Sequence, residues 1–339
     1  MRNRHSKDVP SQNLTDTTGK GGSSPQQPPT GSTLESMGGS AASAGKKNKK
    51  GDGLITVMIV VCSLVLLSGI GLLLYPTVAD WWNRQHASRA VASYVEQVDD
   101  MSAEKKEQML ADARAYNEKL NTLPNRWNLT DEEREEYNRT LDVTGTGIMG
   151  YITIPALKAR LPIYHGTEES VLQIAGGHLE GSSLPVGGEG THTAVSGHTG
   201  LPSAKLFTGL DSLKEGDTFA FHVLDDTYTY QVDQIRVVLP NEMRDLDFSA
   251  DQDYATLITC TPYGVNSHRL LVRGHRIPNP VETVSEAEYA KADRDQTIVI
   301  GIAAALIVLF IAWIVSIVIR RSKRSGRGSL PNAKVRHAK

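Results

Sequence analysis

Two long apolar runs constrain this chain more than any other feature of its sequence. They cover residues 54–75 and residues 297–319, and neither contains a charged side chain. A helix needs about 20 apolar residues to cross the roughly 30 Å hydrocarbon core of a bilayer. A signal peptide has a shorter apolar region of about 7–15 residues, and a buried core helix rarely stays apolar on all sides. We therefore predict two membrane-spanning helices.

The charges beside the two runs predict their orientation. Lysine and arginine accumulate on the cytoplasmic side of a membrane, so both chain ends are expected inside and residues 76–296 outside. Residues 1–50 carry a net charge of +5 and residues 320–339 carry +8, so the whole-chain charge of −2 leaves −15 on residues 51–319. An acidic outer domain argues against a nucleic-acid partner, whereas basic tails suit an anionic lipid leaflet.

Between these runs the sequence changes from a helical to a strand pattern. Residues 1–50 are rich in Ser, Gly, Pro and Lys and are expected to be disordered. Residues 76–144 are expected to contain helices, because apolar residues recur at three- and four-residue spacing between 86 and 120. Residues 145–280 predict a mainly β domain, a closed barrel or a sandwich, followed by a linker over 281–296. The predicted strands are 151–155, 161–165, 192–198, 217–224, 227–240, 255–260 and 269–277.

Cysteine usage singles out one residue of the predicted outer domain. Of the two cysteines, Cys62 lies inside the first apolar run and Cys260 ends the strand ATLITC, just before the turn TPYG. An unpaired cysteine in an extracellular domain is a candidate reactive thiol, and a strand end both fixes and exposes it. Considered alone, a half-buried structural cysteine is the simpler interpretation.

Two segments rich in histidine and arginine change that interpretation. THTAVSGHTGLPSAKLF contains His192 and His198, and NSHRLLVRGHR contains His268, His275 and three arginines. A thiol with an ordinary pKa of about 8.5 is mostly protonated at neutral pH, so attack on an amide needs a neighbouring base or a stabilised thiolate. The intermediate also needs donors for its oxyanion, and arginine is a permanently charged donor. Cysteine, histidine and arginine together supply these roles.

These motifs resemble the sortase family. LITCTPYG followed by HRLLVRG is similar to the active-site strand and turn of sortases, and SGHTGLP resembles their histidine segment. HLEGSSLPVGG and the two spanning segments resemble class C, the pilus-assembling branch in Gram-positive cells. The resemblance implies a sortase-like closed β-barrel with N-terminal helices, flanked by two transmembrane helices.

The resemblance also implies roles for five residues. Cys260 is expected to be the nucleophile that forms an acyl-thioester, His198 the acid and base, and Arg269 the group that steadies the oxyanion and the bound peptide. Thr259 and Thr261 flank the nucleophile and are expected to touch the substrate.

Other histidines and arginines lie close to these positions. Arg273 shares a strand face with Arg269, but four residues at about 3.3 Å each place it roughly 13 Å further from the turn that carries Cys260. His192 lies in the histidine segment without matching the base position, and it stays an alternative to His198. Structural or surface positions are expected for the remaining candidates, His178, His268 and His275.

The resemblance implies a cysteine transpeptidase that cleaves an LPXTG-like sorting signal and joins the acyl group to an amine. In class C that amine is typically a lysine of a pilin subunit, whereas anchoring sortases attach surface proteins to a cell-wall peptide of peptidoglycan. A non-enzymatic β-barrel surface scaffold is the alternative from a different class. No metal or organic cofactor is implied, and the sequence contains no HExxH or paired-cysteine spacing.

The segment before the predicted barrel departs from the class C pattern. Members of that class usually carry a lid with an Asp-Pro-aromatic triplet that covers the cysteine, whereas residues 121–138 read NTLPNRWNLTDEEREEYN. Trp127 is the aromatic residue best placed to substitute. Two hypotheses follow: Trp127 is a lid over the cleft, or it is an anchor packed on the barrel.

Overall fold

A computed structural model describes residues 49–280 and 286–326 of the chain. Its helices are α1 Lys49–Asp99, α2 Ala103–Leu120, α3 Asp131–Arg139, α4 Glu169–Leu172 and α5 Glu286–Gly326. Two of them, α1 and α5, are long and apolar enough to cross a membrane. The predicted basic tails fall largely outside the described residues. Because α5 begins at Glu286, most of the predicted linker is helical.

Helix α1 does not end with its apolar run. It continues through Pro76 to Asp99, so the first apolar run and the helix predicted from residue 86 form one element. The distal half is stabilised by packing, because Val91, Tyr94 and Val98 follow one another at three- and four-residue spacing and are all buried. Tertiary packing of this kind provides most of the stability of protein helices.

Eight strands form a closed barrel in the order β1-β2-β3-β4-β7-β8-β6-β5. Pairing of β1 with β5 closes it, which confirms the predicted barrel and rules out the sandwich. The pairs β2–β3 and β4–β7 are parallel. The strands are β1 Ile148–Ile154, β2 Ala159–His165, β3 Gly176–His178, β4 Thr191–Ser196, β5 Thr218–Val223, β6 Asp226–Val238, β7 Asp253–Thr261 and β8 His268–Ile277.

The strand that was not predicted is β3. It is three residues long and reads GGH, and glycine carries no β-propensity that a sequence pattern would register. Its glycines have a steric role, because a Cβ at Gly177 would collide with the Gly166 carbonyl oxygen and one at Gly176 would lie 3.0 Å from the Val195 side chain.

The directions of the strands place the candidate catalytic residues at one end of the barrel. Parallel β4 and β7 end together, and the C-terminal end of β6 pairs with the start of β8 through Val238 and Arg269. We call this end, with its connection at residues 262–267, the β7–β8 end. The β5–β6 turn at Leu224 and Asp225 lies at the opposite end.

Candidate active site

Cys260 lies at the β7–β8 end, half-buried on β7. Its cross-strand partner on β8 is Arg269. On its other side, the Gly197 N–H donates to the Ile258 carbonyl oxygen at 3.0 Å, so the chain leaving β4 passes beside Cys260 with His198 as its next residue. Cys260, His198 and Arg269 therefore line one cavity of about 310 Å³.

The backbone that carries His198 is fixed from both directions. The Thr259 hydroxyl donates to the Gly197 carbonyl oxygen at 2.7 Å, and the Phe207 N–H donates to the His198 carbonyl oxygen at 3.1 Å. A Cβ at Gly197 would lie 2.7 Å from the buried Phe207 ring, so only glycine fits there. The histidine is thus held on a rigid loop although it lies outside the strand.

The His198 side chain has a carboxylate neighbour that sequence reasoning missed. Its Nε2 lies 3.3 Å from Glu169 Oε2 on α4, and the two side chains are 24% and 67% exposed. The pKa of Glu169 is below its ordinary value because the Gln173 side chain donates to the carboxylate and because the neighbouring His198 favours its ionised form. The two residues are 29 positions apart in the chain, so no local motif connects them.

Arg269 and Arg273, both on β8, are in different surroundings. Arg269 Nη1 donates to the carbonyl oxygens of Asn266 at 3.3 Å and His268 at 3.2 Å, which holds the guanidinium at the cavity. Arg273 pairs with Asp233 through Nε at 3.0 Å and Nη2 at 3.1 Å, and its guanidinium stacks on an aromatic ring. Both of these Arg273 contacts are structural.

The alternative base, His192, is buried and structurally committed. Its Nε2 lies 2.7 Å from the Thr256 hydroxyl, and its Nδ1 lies 3.0 Å from the Asp247 carbonyl oxygen. Burial lowers its pKa to about 4. His178 is also fully buried, between Tyr137 and the Ser183 carbonyl oxygen, and burial lowers its pKa to about 3.

Two more histidines lie outside the cavity. The His275 ring is 3.7 Å from the Asp233 carboxylate, and His268 contacts the Ser267 hydroxyl at 2.9 Å. The threonines beside Cys260 differ from each other: Thr259 lines the cavity, whereas Thr261 is not among its lining residues. The substrate contact predicted for Thr261 stays a prediction.

Apolar side chains form most of the cavity wall beyond Cys260, His198 and Arg269. A strand that is covered on both faces loses the alternation of apolar and polar residues. The continuous apolar runs in IRVVLP, TLIT and RLLV were therefore the sequence signal that could have indicated this apolar wall. The wall includes Leu172, Leu179, Val238, Met243, Leu246, Ile258 and Leu271. Several of these pack together with Ala194 in a cluster on the outside of the barrel, which we call the outer cluster. An extended apolar peptide segment fits such a groove.

Trp127 lies beside the cavity in this structure and is not among the residues that line it. It packs against the outer cluster, and residues 121–144, all of them described, contribute nothing to the cavity lining. Arg126 explains this placement, because it donates to the carbonyl oxygens of Gly181 at 2.8 Å and Leu246 at 3.0 Å and stacks on the Trp127 ring. These bonds hold the segment beside the groove.

A strand-end thiol, a loop histidine and an arginine at the mouth of an apolar groove form a site suited to thiol-based acyl transfer. Within residues 49–280 and 286–326, no group of three or more His, Cys, Asp or Glu side chains could hold a metal ion. The site and the closed barrel together define a cysteine acyltransferase type of architecture.

Comparison with known proteins identifies the family. A family model described as "Sortase domain" matches residues 152–277. The chain is 52% identical to sortase C1 from Streptococcus agalactiae, with a TM-score of 0.55, over 57% of this chain and 100% of that one. It is 42% identical to Clostridium perfringens sortase C, solved with the C-terminal cell wall sorting motif, with a TM-score of 0.50 over 57% and 100%.

Curated relatives are more distant. Sortase A of Bacillus anthracis is 30% identical over 38% of this chain and 59% of its own length, and Sortase A of Streptococcus agalactiae is 29% identical over 34% and 47%. The chain thus spans about half the length of these relatives. It belongs to the sortase family, whose members are cysteine transpeptidases, and its structural neighbours are class C sortases.

Proposed function

We propose that this chain is a membrane-anchored class C sortase. It cleaves an LPXTG-like sorting signal through an acyl-thioester on Cys260 and joins the acyl group to a lysine amine of a pilin subunit. The observation that carries the proposal is the convergence of Cys260, His198 and Arg269 on one apolar groove, in a chain 52% identical to a sortase C1.

Each of the three side chains has one chemical task in this proposal. Cys260 Sγ attacks the carbonyl carbon of the scissile amide, and Arg269 stabilises the negative charge that develops on the carbonyl oxygen. His198 gives a proton to the leaving amine as the C–N bond breaks, which leaves the thioester. It then takes a proton from the incoming amine, whose attack forms the new amide and releases the Cys260 thiolate.

Membrane anchoring is supported by α1 and α5. The Trp81 indole N–H, just beyond the first apolar run, donates to the Thr297 hydroxyl at 2.9 Å, and Thr297 is the first residue of the second run. The outer ends of the two runs therefore lie side by side. With the basic flanks inside, the barrel is extracellular and both chain ends are cytoplasmic.

The first test is covalent trapping. Full-length enzyme mixed with an LPXTG-type peptide is expected to accumulate an acyl adduct on Cys260, visible by mass spectrometry, and Cys260→Ala is expected to abolish it. An adduct on another residue, or none with any sorting-type peptide, would refute the assignment of the nucleophile.

An anchoring-type sortase is the second candidate. Two observations favour it. Two curated relatives are named Sortase A, and Trp127 does not line the groove, which is therefore open. Offering the acyl-enzyme a pilin lysine and a cell-wall peptide in competition separates the two. Preferential transfer to the cell-wall peptide would favour anchoring and contradict pilin polymerisation.

A further inference from the structure

The exposed apolar side chains of the barrel are concentrated in two segments. Among the described residues between α1 and α5, six large hydrophobic residues are exposed, and five of them lie in segments 235–239 and 263–265. The most exposed are Tyr263 at 71% and Val265 at 69%, both in the connection at the β7–β8 end. Such surfaces mark contacts with a protein or a membrane.

Helix α1 runs past the barrel and contacts its two ends at different heights. Near the apolar run, Asp80 Oδ1 accepts the Lys205 N–H at 2.9 Å and the Asn83 amide donates to the Ser203 carbonyl oxygen at 2.8 Å. Both partners belong to the loop that follows His198 at the β7–β8 end. Further along, the Tyr94 hydroxyl accepts the Leu224 N–H at 2.8 Å, at the opposite end.

These contacts order the two ends by their distance from the apolar run. Tyr94 lies fourteen residues after Asp80, which is about 21 Å of helix. Asp80 comes only five residues after the run ends at Tyr75. If α1 crosses a bilayer, as proposed above, the β7–β8 end is therefore the one nearer the membrane.

Aromatic residues indicate where along helix α1 the membrane surface lies. Trp81 and Trp82 stand next to Asp80, Trp82 is 57% exposed, and Trp81 reaches Thr297 at the start of the second run. Tryptophan is enriched where a membrane meets water. Because Asp80 binds the Lys205 backbone directly, the loop after His198 lies at this level.

Tyr263 is connected to the same loop. Its ring occupies the position of the missing Gly200 side chain, since a Cβ there would lie 2.7 Å from Tyr263 Cε2. Gly200 precedes Ser203 by three residues, which extend over at most about 10 Å. The connection that carries Tyr263 and Val265 therefore lies within reach of the surface that Trp82 marks.

We propose that the β7–β8 connection, through Tyr263 and Val265, docks on the lipid surface, so that the catalytic groove opens at the membrane interface. The inference rests on the proposed anchoring. Tyrosine suits headgroup depth because its ring is apolar and its hydroxyl is polar. A groove at this height selects protein substrates that are themselves held at the membrane surface.

Depth-dependent fluorescence quenching tests this docking. The full chain, with Cys62→Ser and Cys260→Ala to remove native thiols, is reconstituted in phosphatidylcholine–phosphatidylglycerol vesicles. Val265→Cys carries an environment-sensitive fluorophore, and the lipids carry a nitroxide near the headgroup. Trp82→Cys is the positive control for anchoring, and Glu189→Cys, an exposed residue before β4 at the opposite end, is the negative control.

The expected result is quenching at Val265→Cys at least about two-fold stronger than at Glu189→Cys and similar to that at Trp82→Cys, as for side chains that enter the headgroup boundary. Tyr263→Cys repeats the measurement if the first variant does not fold. Equal quenching at 265 and 189, with strong quenching at 82, would overturn the docking while leaving the anchoring intact. Absent quenching at 82 would overturn both. If the fluorescence at position 265 changes with the density of enzyme in the vesicles and not with the fraction of nitroxide lipid, the connection contacts a second copy of the chain. That result would overturn lipid docking.

Discussion

His192 and His198 are six residues apart, yet the barrel places them in opposite circumstances. His192 is 1% exposed on β4 and both of its ring nitrogens have protein partners. His198 follows the strand, lines the groove, and contacts one exposed carboxylate. The arginines of β8 repeat this contrast, since Arg273 is committed to Asp233 whereas Arg269 reaches the groove.

This contrast teaches that residue type alone does not identify a catalytic group. A buried polar group must have its hydrogen bonds within the protein, because leaving one unpaired costs about 1–3 kcal/mol. His192 therefore has no lone pair or proton to offer a substrate. At the β7–β8 end, the side chains keep donors and acceptors that a substrate can use.

The largest expected effect separates the members of each pair. His198→Ala and Arg269→Ala are expected to lower turnover by about 10²–10³, because an acid/base group or an oxyanion donor is lost, with little change in melting temperature. His192→Ala and Arg273→Ala are expected to retain far more activity per folded molecule and to lower the melting temperature. Peptide turnover and thermal unfolding of the same four variants test this, and a reversed ranking within either pair would break the comparison.

The contrast also explains which parts of the molecule sequence patterns could predict. Short strands and turn signals predicted a closed barrel or a sandwich, and the resemblance to sortases implied the barrel. The motifs around Cys260, His198 and Arg269 pointed to residues that the fold does bring to one groove. Glu169 was missed because its contact with His198 depends on the short helix α4, which no apolar period signals. A lid over the groove was one hypothesis for Trp127, because no local sequence pattern reveals that Arg126 binds distant carbonyl groups.

The stability of the protein at acid pH tests the buried histidine, His192. An unfolded histidine has a pKa near 6.5, whereas folded His192 has a pKa of about 4 because of burial. Between these values the unfolded state binds a proton that the folded state does not, so the free energy of unfolding falls as the pH decreases. At about 1.4 kcal/mol for each pKa unit, His192 accounts for up to about 3 kcal/mol of this loss.

Urea unfolding of the full chain in detergent at several pH values between 7 and 4 measures this effect. His192→Gln, which does not titrate there, is expected to be less stable at pH 7 and to show a shallower decline. His198→Gln is the matched control and is expected to keep the steep decline of the parent. An unchanged slope in His192→Gln would show that the His192 proton is not linked to folding.

A smaller effect is expected outside the groove, at Trp127. Full burial of an aromatic residue makes truncation cost roughly 3–5 kcal/mol, and Trp127 is half-buried on the outer cluster. Trp127→Ala is therefore expected to cost about 2 kcal/mol, while the rate at which a thiol reagent labels Cys260 stays unchanged. Faster labelling without loss of melting temperature would restore the lid hypothesis.

The smallest expected effect lies at the contact between Glu169 and His198. The carboxylate is exposed, and exposed ion pairs contribute little because water and salt screen them. Glu169→Gln is expected to lower kcat less than about five-fold, with KM unchanged, and the difference is expected to shrink at high salt. Glu168→Gln removes the same charge one residue earlier and is expected to have no effect on kcat. If both variants lower kcat equally, Glu169 acts only through the long-range electrostatic field of its charge. In that case the orientation of His198 is set by its backbone alone.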